Sequence, residues 1–187
     1  SGIGSAKLTI TGGVFSTDPS AYLGEGYAAT QSGDIWTVED NRVAQIGENK
    51  YATLAQAVEE GGEITLLKDV QLDAAIEVAN AVAIDLDGHN ISMTENDASG
   101  DGVFRVVEGG TLTIDGEGTV SGTSDGNNYD MAIWADGGDV VINGGTYTNV
   151  GAGEDTHYDL IYAKNGGTVA INGGTFECQT PAWTLNL

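Results

Sequence analysis

The stretch Gly137-Gly138-Asp139-Val140-Val141-Ile142-Asn143-Gly144-Gly145-Thr146-Tyr147 returns almost unchanged as Gly166-Gly167-Thr168-Val169-Ala170-Ile171-Asn172-Gly173-Gly174-Thr175-Phe176. A looser copy, Gly109-Gly110-Thr111-Leu112-Thr113-Ile114-Asp115-Gly116, lies upstream, and a half copy, Val82-Ala83-Ile84-Asp85-Leu86-Asp87-Gly88, precedes that. The glycines that end these strands fall at 88, 116, 144 and 173, giving steps of 28, 28 and 29 residues. A nearly constant step of this size marks a stacked repeat. Each unit is one supersecondary piece that cannot bury its own apolar face, and its neighbours supply the cover.

Three apolar pieces recur in each unit. The first is Val103 to Val107, Ala132 to Ala135 or Leu160 to Ala163. The second runs from Gly-Gly to Asp-Gly or Asn-Gly, and the third holds Ile91, Val120, Tyr147 or Phe176. Three strands per unit, each alongside its counterpart in the next, predict an all-β fold: a parallel β-helix of three-strand coils. At the repeat spacing Leu86, Ile114, Ile142 and Ile171 superpose and are expected to form an inward ladder, each stabilising by about 1.5–3 kcal/mol when buried. Asp87, Asp115, Asn143 and Asn172 follow them, residue types that tolerate the left-handed backbone of a tight corner. Stacked amides bond up a ladder whereas stacked carboxylates repel, so the Asn143–Asn172 step is expected to be the best ordered.

Residues 1–40 read as the final coil and capping hairpin of a preceding repeat unit. Lys7-Leu8-Thr9-Ile10-Thr11-Gly12-Gly13-Val14-Phe15 is a further copy of the motif, and Tyr27–Thr30 and Ile35–Val38 flank a polar turn at 31–34. Residues 41–187 read as a β-helix unit with a capping helix at about 53–60 and an open C-terminal end. Thr53 and Gln56 form a capping box, and Gly61-Gly62 stops the helix. Such a helix suits a lid over the first coil, whose strand edges otherwise lie bare. At the far end the apolar segment Ala182-Trp183-Thr184-Leu185-Asn186-Leu187 needs a cover. A homo-oligomer or neighbouring repeat units are the partners expected there, which makes the chain a module of something larger.

Charge narrows the partners. With 6 Lys plus Arg against 28 Asp plus Glu, net −22, the chain cannot displace counterions from a phosphate backbone, so no nucleic acid is expected. No run approaches the roughly 18 apolar residues of a span, so no membrane insertion is expected. The single cysteine, Cys178, excludes an internal disulfide. Cations, neutral sugars and basic protein surfaces remain.

The repeated Gly-Gly-Thr-Val-x-Ile-Asn-Gly-Gly-Thr-Phe pattern resembles the right-handed parallel β-helix of the pectate-lyase-like superfamily. The segment from Tyr51-Ala52-Thr53-Leu54-Ala55-Gln56-Ala57-Val58 to Ile64-Thr65-Leu66-Leu67-Lys68-Asp69-Val70 resembles the lead-in to such helices in large bacterial surface proteins. Similar modules occur in phage structural and fibre proteins. The resemblance spans nearly the whole chain and implies a right-handed coil and an extracellular, cell-surface or virion location. It does not select among lyase, hydrolase, adhesin and tailspike, because that fold carries all of them.

Chemistry is expected on the longer loops, Ser92–Asp101, Ser121–Asp130, Thr148–Asp159 and Glu177–Ala182, which stacking aligns on one side. Asp125, Asp130, Trp134, Asp155, His157 and Asp159 are the candidate ligand-binding residues, with surface glycans as the expected partner. Asp97, Ser99 and Asp101, followed by Glu108, fit the oxygen-ligand spacing of a calcium loop, with calcium as the implied ion. Paired carboxylates among Asp125, Asp130, Asp155 and Asp159 supply the residue types of a glycoside hydrolase. The lyases of the superfamily use basic residues, and the loop face is expected to carry no Arg or Lys. The paired aspartates, Gly-His-Gly and Arg-x-Lys of its polygalacturonases are missing, Gly88-His89-Asn90 being only an echo. The expected function is therefore a non-catalytic structural or adhesive module, with a polysaccharide-active enzyme as the alternative.

Overall fold

A computed structural model describes residues 7–93, 102–124, 131–151, 159–178 and 185–186. The chain opens with β1 (Gly13–Phe15), β2 (Tyr27–Ser32) and β3 (Ile35–Asp40), which form an antiparallel sheet in the order β1-β3-β2. The polar turn makes the β2–β3 hairpin, with Ser32 opposite Ile35 and Gly33 at φ +60°. The motif copy at 7–15 departs from its counterparts, because β1 pairs antiparallel with β3.

Next come β4 (Ala44–Ile46), β5 (Asn49–Tyr51), α1 (Leu54–Glu60) and β6 (Gly62–Leu66). Helix α1 begins as its sequence requires. The Gln56 N–H donates to Thr53 Oγ1 (3.2 Å) while the Thr53 N–H donates to Gln56 Oε1 (3.1 Å), satisfying two of the orphan donors of the first turn. Leu54, Ala57 and Val58 are buried against the stack. The junction with the N-terminal sheet is pinned at Asp40. Its carboxylate accepts from Arg42 Nε (2.9 Å) and Nη2 (2.8 Å) and from Lys50 (3.2 Å), and its carbonyl accepts from Lys68 Nζ (2.7 Å). The Arg42 hydrogen bonds hold this carboxyl well below the usual range against the opposing effect of burial.

The remainder is a succession of three-strand sets. They are β7 (Val70–Leu72), β8 (Ile76–Val78) and β9 (Ala81–Asp85); β10 (Ile91–Met93), β11 (Phe104–Val107) and β12 (Thr111–Asp115); β13 (Thr119–Ser124), β14 (Ile133–Asp136) and β15 (Asp139–Ile142). Then follow β16 (Thr146–Gly151), β17 (Ile161–Lys164) and β18 (Thr168–Ile171), and finally β19 (Thr175–Cys178) and β20 (Leu185–Asn186). From β7 onward every third strand pairs in parallel. The sheets run β7-β10-β13-β16-β19, β8-β11-β14-β17-β20 and β6-β9-β12-β15-β18, the last extended by the antiparallel pair β4-β5. Among the described residues, mostly strands in parallel sheets with one α-helix are compatible with a parallel β-helix or a related solenoid.

Registers tie the repeats to the core. Ile91 lies opposite Val120, Val120 opposite Tyr147 and Tyr147 opposite Phe176, as the repeat step predicts. The neighbouring row differs from its expectation. Ile114 and Ile142 pair, but the partner of Ile114 in the preceding strand is Ile84, with Asp85 opposite Asp115. Leu86 has left the ladder because the chain turns at Asp87 (φ +45°) and Gly88 (φ +82°), so this corner is one residue longer than the next and two longer than the last two. It stays fully buried under the corner, where Cβ atoms on Gly118 or Gly145 would come within 3.0 Å of it. The ladder also loses its seal at the end: Ile84, Ile114 and Ile142 are at most 1% exposed, but Ile171 is 40% exposed.

The Gly-Gly pairs have a divided explanation. The first glycine, at 109, 137 or 166, takes φ +86°, a conformation that L side chains seldom adopt. The second, at 110, 138 or 167, has no room for a Cβ, which would stand 2.1, 2.5 or 2.2 Å from the carbonyl oxygen of Val78, Val107 or Ala135. One glycine turns the chain and the other lets it pass under the preceding strand set.

Candidate ligand-binding face

The loops named above connect β10 to β11, β13 to β14, β16 to β17 and β19 to β20, so each leads into the same sheet. Asp97, Ser99, Asp101, Asp125, Asp130, Asp155 and His157 lie outside the described residues. Trp134, Asp159 and Glu108 lie within them. Because strand residues alternate in direction, Glu77, Arg105, Trp134, Tyr162 and Asn186 fall in one column on the outer face of that sheet, each opposite the next. The buried alternates Phe104, Ile133 and Ile161 fill the inside.

Trp134 is held from both sides. The Arg105 guanidinium lies 4.8 Å from its ring centroid, and the Tyr162 ring follows at 6.1 Å with a 30° tilt. Contacts of these kinds contribute roughly 0.5–1 kcal/mol each at a partly exposed site. The ring faces point along the stack and the edges point outward, and indole Nε1 is buried with no hydrogen-bond partner. Arg105 is itself committed to Asp136, with Nε at 2.9 Å and Nη2 at 2.7 Å from Oδ2, and Glu77 lies 4.0 Å from Nη1. The expectation of a face without Arg or Lys is thus corrected, because strand register sets Arg105 in the outward column beside Trp134. The repeat step could have found it, because Arg105, Trp134 and Tyr162 are separated by 29 and 28 residues.

Asp136 carries the electrostatics of this face. Burial opposes its ionisation, but hydrogen bonds from Arg105 and from Asn165 (2.6 Å) outweigh that and hold its pKa below the ordinary value. A carboxyl with a depressed folded pKa stabilises fully above its unfolded value of about 3.9, and that stabilisation is lost as pH falls through the folded pKa. We expect Asp136→Asn to melt below wild type near neutrality. The gap should hold steady down to about pH 5 and narrow below it as pH falls past the unfolded carboxyl value, measured by circular dichroism melts in parallel.

Asp159 is buried at the base of the adjoining loop. Its carboxylate accepts from Asn186 Nδ2 (3.2 Å to each oxygen) and its carbonyl accepts from the buried Asn149 Nδ2 (3.3 Å). The Asn149 carboxamide oxygen, which sequence reasoning did not single out, is buried without a partner. Asp159 and Trp134 are therefore linked through Asn186, which ends the outward column beside Tyr162 and donates to the Asp159 carboxylate. Glu108 is exposed in the turn after β11, and Val103 and that strand put roughly 20 Å of extended chain between Gly102 and Glu108. Among the described residues no three His, Cys, Asp or Glu side chains converge as a metal site, and no helix is long and apolar enough to cross a membrane.

Three further outward polar side chains bond from one strand set to the next. Asn172 Nδ2 donates to Asn143 Oδ1 (2.9 Å), Thr168 Oγ1 to Asp139 Oδ1 (2.5 Å), and the Thr119 N–H to Asn90 Oδ1 (3.0 Å). Chemically this face is suited to holding the stack together along its axis. No protein family, no curated protein and no solved structure matches the chain.

Proposed function

We propose that the chain is a non-catalytic structural or adhesive module of a larger extracellular or virion-surface protein, built as a right-handed parallel β-helix. The observation that carries this reading is the use of its outward polar groups. Asn143 and Asn172, Asp139 and Thr168, Asp136 and Asn165 are bonded at a separation of 29 residues, which is the repeat step. Side chains spent on stitching neighbouring coils make a stiff rod, and a rod's task is to space and present what it carries. The loops on one side of that rod, acidic and aromatic, are the place for a glycan to bind.

Incubation with a panel of neutral and acidic polysaccharides tests the non-catalytic claim. The expected result is no release of reducing or unsaturated ends. Turnover of any member would establish the enzyme instead. A glycan array run with wild type and with folded Trp134→Ala then separates adhesion, in which the variant loses binding, from a purely structural role, in which wild type binds nothing.

A further inference from the structure

The two ends of the chain carry matching copies of one motif. Strands β18, β19 and β20 each stand last in their sheets. Ile171 is 40% exposed there and Val169 and Phe176 are half-buried, although Val140, Ile142 and Tyr147, their counterparts one step earlier, are sealed. At the other end Lys7–Phe15 repeats the spelling of β18–β19 without a gap. Leu8, Ile10, Gly12, Gly13 and Phe15 stand where Val169, Ile171, Gly173, Gly174 and Phe176 stand. Leu8 is 60% exposed.

Backbone polarity agrees with the spelling. The Ile10 N–H donates to Tyr22 O (2.7 Å) and its carbonyl accepts from the Gly24 N–H (2.9 Å). In an extended segment the neighbouring residues point their amides to the opposite edge, so those of Thr9 and Thr11 face away from Tyr22 and Gly24. β18 uses that alternate set to join β15, with the N–H of Thr168 donating to Gly138 O (3.0 Å) and that of Asn172 to Ile142 O (2.7 Å). Thr11 is the counterpart of Asn172, and Thr9 that of Ala170.

We propose that the exposed β18–β19 end receives residues 7–15 of a second copy of this chain, added in parallel at the register of the stack. Leu8 then covers Val169, Ile10 covers Ile171 and Phe15 covers Phe176. The surface is continuous with the interface already fixed by Val140 opposite Val169, Ile142 opposite Ile171 and Tyr147 opposite Phe176. Lys7 arrives over the column of Thr168 and the exposed carboxylate of Asp139. Such a contact joins two different surfaces, so it propagates head to tail. At net −22 per copy, repulsion opposes it and salt strengthens it. The inference rests on the coil reading proposed above.

Sedimentation velocity of wild type, Leu8→Asp and Ile171→Asp tests it. Wild type forms multimers that grow with concentration and salt, each variant alone is monomeric, and their equimolar mixture stops at a dimer. A Leu8→Asp variant that still self-associates shows pairing of two C-terminal ends and overturns the proposal, as does wild type monomeric up to its solubility limit. Thr17→Cys gives a reading that needs no buried charge. The register puts residue 17 opposite Cys178 of the next copy, about 5 Å away, within reach of a disulfide. Mild oxidation and peptide mapping should return 17–178 links between chains; only 178–178 links, or none, in a folded protein contradict it. Failure of the coil reading itself is told apart by an intrachain pair, Thr146→Cys with Thr175→Cys, which joins if coils stack whether or not copies associate.

Discussion

Gly110→Ala should destabilise the chain by about 3 kcal/mol, at the upper end for added volume in a packed interior, while Gly109→Ala next to it costs about 1–2 kcal/mol. The two glycines fail for different reasons. A Cβ on Gly110 would stand 2.1 Å from the carbonyl oxygen of Val78 and 3.1 Å from that of Val107, both backbone atoms that cannot swing aside. Relief requires β11 and β12 to move away from the preceding strands, which stretches the Thr111 N–H to Asn80 O bond (2.9 Å). A Cβ on Gly109 meets nothing within 4 Å, so its cost is the strain of φ +86° alone. Urea unfolding of both variants checks the difference. Equal losses would mean that the second glycine serves conformation and that the strand sets are not packed this closely.

Tyr147 supports the second large effect. It is fully buried, and its ring stacks on Phe176 at 5.2 Å with a 12° interplanar angle. Tyr147→Ala leaves a cavity beneath β16, a strand held by hydrogen bonds to β13 on one edge and β19 on the other, so its backbone cannot collapse inward. The expected loss is about 3–5 kcal/mol, on the order of 10 °C in Tm for a chain of this size. Tyr147→Phe should move the other way. The phenol oxygen is buried with no partner, so removing it relieves a desolvation cost of roughly 1–3 kcal/mol. Burial, and after it the charge of Asp115, pushes the phenol pKa above its ordinary value. The folded pKa is raised, so this contribution is complete below the unfolded value of about 10 and is lost as pH rises through the folded one. Wild type should therefore lose stability in alkali relative to Tyr147→Phe. Parallel melts at neutral and alkaline pH check both effects, and a Phe variant less stable than wild type would assign the hydroxyl a bonded partner.

Much of the architecture was legible because a stacked repeat writes its geometry as a constant step. The rows through Val120, Tyr147 and Phe176 and the Asn143–Asn172 pair follow from it, and Thr53 with Gln56 fixes where α1 begins. Two features were not legible. Counting back from Gly88 put Leu86 in the ladder, but a half copy lacks the Gly-Gly start that would anchor the register, and the longer corner at Asp87 moved Ile84 into place. The copy at Lys7–Phe15 has the motif's spelling, yet β1 pairs antiparallel with β3. Local sequence sets which residues extend, and the nearest available strand sets what they pair with. On the candidate face, separations of 29 and 28 residues place Arg105, Trp134 and Tyr162 in one column, but only Trp134 stood out in the sequence, because a lone basic residue in an acidic chain draws no notice until its strand's register is known. Side-chain pairing, unlike strand spacing, depends on the neighbouring strand's register.

The central claim is that successive strand sets stack in parallel at a 29-residue step in the C-terminal half of the chain, as the pairing of Thr146 with Thr175 states. Disulfide trapping in a Cys178→Ser background tests it directly. Thr146→Cys with Thr175→Cys should oxidise rapidly within one chain, whereas Thr146→Cys with Glu177→Cys, two residues out of register, should remain reduced under the same conditions. Equal trapping of the two pairs, or preference for the second, would contradict the stacked register on which the fold and the proposed function stand.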